Sequence, residues 1–112
     1  MNLTMTPTGG ATARITLGGR FDAHRCPEFD AWIDAALDAD RPRLIVDLSD
    51  TRFIDSAGLA ALVRGMKRCR ARGGDLVLSA PSTPARAILE LTRLDRAFTV
   101  QHGERIGATS GG

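Results

Sequence analysis

Ser56 stands in "FIDSAGL" at residues 53–59, with an acid before it and alanine and glycine after it. A hydroxyl in that setting has two uses. Its oxygen can cap a helix by accepting an unpaired backbone N–H of the first turn, worth about 1 kcal/mol. It can also receive a phosphoryl group, which adds up to two negative charges. A helix N-terminus tolerates such an anion, because its free N–H groups and its dipole favour negative charge. Asp55 would sit beside the phosphate and repel it. The expected result is a surface that changes charge while the fold survives.

Other chemistry-bearing residues form weaker patterns. Asp22, His24 and Ser56 supply the acid, imidazole and hydroxyl of a hydrolase triad. No G-x-S-x-G elbow accompanies them, so catalysis is not expected. His24, Cys26, Cys69 and His102 show no recurring metal-ligand spacing. The glycine pairs at 18–19 and 73–74 lack the rest of a phosphate-loop pattern. No catalytic residue, metal or cofactor is therefore expected. Arg64, Arg68 and Arg72 recur every four residues, as do Asp30, Asp34 and Asp38. The bland reading is two solvated helix faces. The sharper one is that Arg64 and Arg68 dock an acidic partner beside the Ser56 edge.

Composition narrows the class. The chain has 112 residues, 43% hydrophobic and 25% charged, which fits one globular domain. Its net charge of +2 and its 4% aromatic content argue against nucleic acid. No apolar run approaches the roughly 18 residues of a membrane span. The opening "MNLTMTPTGG" has no charged region leading into an apolar stretch. Cys26 and Cys69 lie far apart, so reduced thiols in a cytoplasmic protein are expected.

The elements that must position Ser56 follow from periodicity. Alternation over Thr12–Leu17 predicts a strand. Leu3 and Met5 alternate weakly, so residues 1–11 read as a poor edge strand and a turn. Pro27 followed by Phe29, Trp32, Ile33, Ala36 and Leu37 predicts a helix over about Pro27–Ala39. "LIVDL" at 44–48 reads as a strand covered on both faces, and "LVLS" at 76–79 as another buried strand. Phe53 and Ile54 read as buried chain. Leu59, Leu62, Val63, Met66 and Cys69 mark one face of a second helix, about Ala57–Arg72, ended by Gly73 and Gly74. Ser56 is then its N-cap. Ser82 and Pro84 open a third helix carrying Ala85, Ile88 and Leu89, and Phe98–Val100 closes the core as a strand. The domain core spans about 12–100, and 104–112 read as a flexible tail or a short helix. Strands alternating with helices predict an α/β domain with a mixed, mostly parallel sheet. Right-handed crossovers gather the strand-to-helix loops on one edge, with Asp22, Asp50, Asp55, Ser56 and Ser82 together there.

Three stretches carry a family likeness: "GGRFD" at 18–22, "LIVDLSDTRFIDSAGLAALV" at 44–63 and "GGDLVLSAPSTPARAILELTRLDRAF" at 73–98. They resemble the STAS domain family, and within it the small bacterial anti-sigma factor antagonists, over about Leu17 to Phe98. The resemblance implies that Ser56 is phosphorylated by a partner anti-sigma factor with serine kinase activity. The unphosphorylated form would bind that partner and free a sigma factor, the phosphorylated form would let go, and a phosphatase would reset it. Asp22 and Asp47 match the family's loop and strand-end aspartates, and Gly58 its helix-start glycine. Asp22, Asp55, Ala57 and Gly58 then shape the partner-binding edge. Arg93 stands where the family often has glycine, which alters the end of the third helix. Similar STAS domains serve as subunits of phospholipid transport or signalling complexes, where this serine need not be modified.

Overall fold

The computed structural model describes residues 3–9 and 12–101. Seven strands and three helices follow in order. They are β1 (Leu3–Gly9), β2 (Thr12–Leu17), β3 (Gly19–Phe21), α1 (Cys26–Asp38), β4 (Arg43–Asp47), β5 (Thr51–Ile54), α2 (Ser56–Ala71), β6 (Asp75–Ser79), α3 (Thr83–Leu91) and β7 (Thr99–Gln101), with a 3-10 turn at Leu94–Arg96. The main sheet has the order β1-β2-β4-β6-β7. β1 is antiparallel to β2, and the β2–β4, β4–β6 and β6–β7 pairs are parallel. The α/β class with a mostly parallel sheet is as the sequence predicts. The expected poor edge strand is a full one, since Leu3 pairs with Leu17 and Gly9 with Thr12. The expectation for 104–112 lies outside the described residues.

The strand order moves steadily across the sheet, and this fixes the layers. Each β-α-β crossover steps in the same direction, so right-handed connections put every helix on one face. Alternate residues of the strands form that face: Ala13, Ile15 and Leu17, then Leu44 and Val46, then Leu76 and Leu78. Phe29 and Ile33 of α1 and Leu62 and Met66 of α2 complete the core with them. α1 and α2 meet where Gly65 leaves room, as a Cβ there would come within 3.2 Å of Ile33 and 3.0 Å of Leu76. The opposite face carries Thr12, Arg14, Thr16, Ile45, Asp47 and Val77, all only half-buried. "LIVDL" is thus covered on one face, which corrects the two-faced reading. Ile45 is present because a β-branched residue suits a pleated surface.

A second, two-stranded sheet pairs β3 with β5 in parallel. Gly19, at φ 78°, opens it with a register shift before Arg20. Thr51, only 1% exposed, anchors β5 by donating its Oγ1–H to the Leu17 carbonyl at 2.7 Å. Ser82 in turn donates its hydroxyl to the Thr51 carbonyl. Its oxygen also accepts the Ala85 N–H at 3.2 Å, which makes it the N-cap of α3. Arg93 adopts φ 63°, the left-handed geometry that glycine takes without strain. Here an arginine bears it, at a cost of about 1–2 kcal/mol.

Candidate functional site

Ser56 is not the cap of α2; Asp55 is. Asp55 has extended backbone (φ −95°, ψ −178°), and its Oδ1 accepts the Gly58 N–H at 2.8 Å. Both residue types are strong N-caps, so composition could not choose between neighbours. The helix begins one residue earlier than its apolar spacing suggests. Ser56 becomes its first residue, exposed to solvent. Its hydroxyl makes no hydrogen bond to any described residue. The side chain that the sequence assigns to capping is spare.

Asp55 does more than cap. Its Oδ2 accepts the Ala23 N–H at 3.3 Å, and its own N–H donates to the Phe21 carbonyl at 3.3 Å. One residue thus ties the start of α2 to the loop between β3 and α1. Gly58 permits that contact. A Cβ at Gly58 would stand 2.5 Å from the Phe21 carbonyl oxygen and 3.1 Å from Ile54 Cγ2. Cys26 closes the junction from the other helix, with Sγ 3.4 Å from both the Asp22 and the Ala57 carbonyls. Burial pushes its thiol up, and the nearby Asp30 carboxylate adds to this. Cys26 is therefore a poor nucleophile.

The five residues expected on one edge fall into two groups. Asp22, Asp55 and Ser56 share the α2 junction through Ala23. Asp50 and Ser82 instead line a cleft of about 520 Å³ with Gly18, Ser49 and Arg52. Asp22 does not orient His24 as a triad acid would. Its Oδ1 accepts the His24 backbone N–H at 3.1 Å, and its Oδ2 lies 3.7 Å from Arg20. Among the described residues, no group of three or more His, Cys, Asp or Glu side chains is placed to hold a metal ion. No helix among them is long and apolar enough to cross a membrane.

The charged stripes face one another. Arg64 pairs with Asp30 at 3.1 Å, Arg68 with Asp34, and Arg72 donates to the Leu37 carbonyl at 3.0 Å. Arg64 and Arg68 of α2, with Arg72 at its end, therefore bond α1 rather than forming an independent solvated face. The Arg64 and Arg68 side chains remain partly exposed beside these carboxylates. Helix spacing reveals each stripe but not that α1 and α2 pack side by side.

Phe53 departs from its expected burial, and the strand-end Asp47 has partners that spacing does not show. Phe53 is 41% exposed, not buried chain, and the Arg20 guanidinium stacks over its ring at 4.3 Å. Asp47 accepts both the N–H and the hydroxyl of Ser49 and pairs with Arg14 at 2.8 Å. Burial opposes the Asp47 charge, but these bonds outweigh it and hold the carboxyl below its ordinary range. Its place beside Ser49 makes it a brace of the β4 end, away from Ser56.

Comparison with known proteins identifies the family. A family model described as "Mlab, STAS domain" matches residues 4–101. A Thermotoga maritima protein named as an anti-sigma factor antagonist is 33% identical over 73 residues, 64% of this chain and 65% of that protein. The chain thus aligns with about two thirds of that relative's length. A crystal structure of an anti-sigma factor antagonist from Thermotoga maritima superposes with a TM-score of 0.80 at 21% identity, covering 97% of this chain and 92% of that one. SpoIIAA of Bacillus in its phosphorylated form gives 0.73 at 21% identity, over 96% of each chain. The chain belongs to the STAS domain family and has the fold of its anti-sigma factor antagonists.

Proposed function

We propose that the protein is an anti-sigma factor antagonist switched at Ser56. It is a binding module and a kinase substrate rather than a catalyst. Unphosphorylated, it binds an anti-sigma factor with serine kinase activity and so releases a sigma factor. Phosphorylated at Ser56, it lets the kinase go, and a phosphatase restores it. Asp22, Asp55, Ala57 and Gly58 shape the surface that the kinase reads. Arg64 and Arg68 take part by exchanging Asp30 and Asp34 for carboxylates of the partner. The observation that carries this reading is the spare, exposed hydroxyl of Ser56 on the first turn of α2. Its cap duty belongs to Asp55, so modification removes no bond of the fold. The test is incubation with the cognate kinase and ATP, followed by mass spectrometry of wild type and Ser56→Ala. Phosphate on Ser56 that is absent from the alanine variant is expected. Phosphate elsewhere, or none from an active cognate kinase, would defeat the switch.

A second reading has its own support. The matching family model carries the name Mlab, and a sulfate transporter family protein from Wolinella succinogenes shares the fold at a TM-score of 0.68. Under that reading the domain is a protein-binding subunit of a transport or signalling complex, and Ser56 stays unmodified. Co-purification from the native host separates the two. A transporter ATPase retained equally by Ser56→Ala and Ser56→Asp favours the subunit, whereas a kinase lost only with Ser56→Asp favours the antagonist.

A further inference from the structure

We infer that Phe53 and Arg20 form the anchor on which the partner kinase docks beside Ser56, and that the kinase meets them with an apolar recess rimmed by carboxylate. The inference rests on the proposed function and names the contact that function requires.

Phe53 and Leu91 are the exposed large hydrophobic residues among those described. Phe53 lies three residues from Ser56 and is held by a ladder rather than a loose loop. β3 and β5 place Arg20 directly opposite it in register. The guanidinium carbon sits 4.3 Å from the ring centroid, within cation–π range. Asp22 holds the same guanidinium from another side at 3.7 Å, yet the Arg20 side chain remains 66% exposed. The pair is thus pre-organised and still open. Aromatic and arginine side chains are enriched at binding interfaces, and a pair already stacked loses less freedom on binding than a free one.

The surroundings specify the occupant. Arg20, Asp22, His24 and Arg25 line a cleft of about 440 Å³. The exposed Arg20 guanidinium, which Asp22 approaches only to 3.7 Å, keeps N–H donors for an incoming carboxylate. Arg25 is only loosely engaged by Glu28, at 3.6 Å on the surface. The patch and Ser56 also form one rigid unit. Phe21 pairs with Ile54, its carbonyl accepts the Asp55 N–H, and Asp55 accepts the Ala23 N–H. A kinase that places Ser56 in its active site therefore finds the stacked pair at a fixed offset.

The test is titration calorimetry of the whole chain against the purified kinase that modifies Ser56, using wild type, Phe53→Ala, Arg20→Glu and Ser56→Asp. Wild type should bind and Ser56→Asp should not. Phe53→Ala and Arg20→Glu should each weaken binding roughly tenfold or more, with thermal midpoints close to wild type. Arg20→Glu leaves Phe53 in place, so it stands alone should Phe53→Ala fold poorly. Wild-type affinity should also fall with added salt more steeply than that of Arg20→Ala. Wild-type affinity in both Phe53→Ala and Arg20→Glu, with Ser56→Asp still impaired, would overturn the anchor and leave the switch standing. Wild type failing to bind an active kinase would overturn both. A dimer of this chain that Phe53→Ala dissolves, with kinase binding intact, would overturn the anchor in favour of a self-interface.

Discussion

Replacing Gly58 by alanine should destabilise the protein, although the same change in an open helix stabilises by about 1 kcal/mol. The reason is a backbone contact. The new Cβ would stand 2.5 Å from the Phe21 carbonyl oxygen, whereas ordinary contact begins near 3.4 Å. Something must move by about 0.9 Å, the difference between those distances. The carbonyl cannot swing aside freely, because it accepts the Asp55 N–H. Phe21 Cδ2 at 3.0 Å and Ile54 Cγ2 at 3.1 Å close the other exits. Overpacking of this sort costs about 1–3 kcal/mol. The backbone partner puts Gly58→Ala at the upper end, so after the propensity gain the net loss is about 1–2 kcal/mol. For a domain of this size that lowers the thermal midpoint by roughly 5–10 °C.

Gly65→Ala is the matched control. Its Cβ would meet the ends of the buried Leu76 and Ile33 side chains, at 3.0 and 3.2 Å, with no backbone atom among its nearest neighbours, so the clash is milder. Circular-dichroism melts of the two variants should separate, with Gly58→Ala below Gly65→Ala. A Gly58→Ala protein that melts at or above the wild-type midpoint would refute the reasoning. It would mean that the α2 start floats on the β3–α1 loop rather than being pressed against it.

The cap assignment predicts an asymmetry between neighbours. Asp55→Ala should lose about 1–2 kcal/mol in urea unfolding, because it removes the Gly58 cap and the Ala23 tie. Ser56→Ala should stay within about 0.5 kcal/mol of wild type; the reverse order would return the cap to Ser56. Acid should also reveal Asp47. Its carboxyl titrates below the ordinary value of 3.8 in the folded state, so its stabilising contribution is whole above that pH and is lost as pH falls through the lower, folded value. Asp47→Asn should therefore melt lower than wild type at neutral pH, with a shallower fall below about pH 4; parallel melting curves down to pH 2 would count against the Arg14–Asp47–Ser49 brace.

The long elements were legible because their burial is periodic. Leu59, Leu62, Met66 and Cys69 announce one face of α2, and Ala13, Ile15 and Leu17 announce the inner face of β2. β5 was not legible, and its pattern says why. Thr51 and Ile54 are buried while Arg52 and Phe53 between them are exposed, so the strand shows no two-residue alternation. Its partner β3 is only three residues long and belongs to a separate sheet. Phe53 therefore read as core on hydrophobicity alone, a rule that runs in one direction only. The facing of the arginine and aspartate stripes was hidden for a different reason. Spacing within one helix fixes a face, but which neighbour that face meets depends on the order of strands in the sheet.

The one-residue shift of the cap alters the energetics of the proposed switch. A phosphoryl group on a capping serine would disturb the bond that starts the helix. On Ser56 it leaves the Asp55–Gly58 bond in place, and about 1 kcal/mol of capping with it. Two further terms remain. The dipole and free N–H groups of α2 favour a nearby anion by about 0.3–1 kcal/mol. Repulsion between a doubly charged phosphate and Asp55, at roughly 6 Å in water, opposes this by about 1.4 kcal/mol before salt screening. Physiological salt roughly halves the repulsion, and the two terms then nearly cancel, so the folded state is close to indifferent to the modification. A switch built this way spends almost none of its charge on its own fold. The full effect falls on whatever surface the partner presents to Ser56, Asp22 and the stacked Arg20–Phe53 pair.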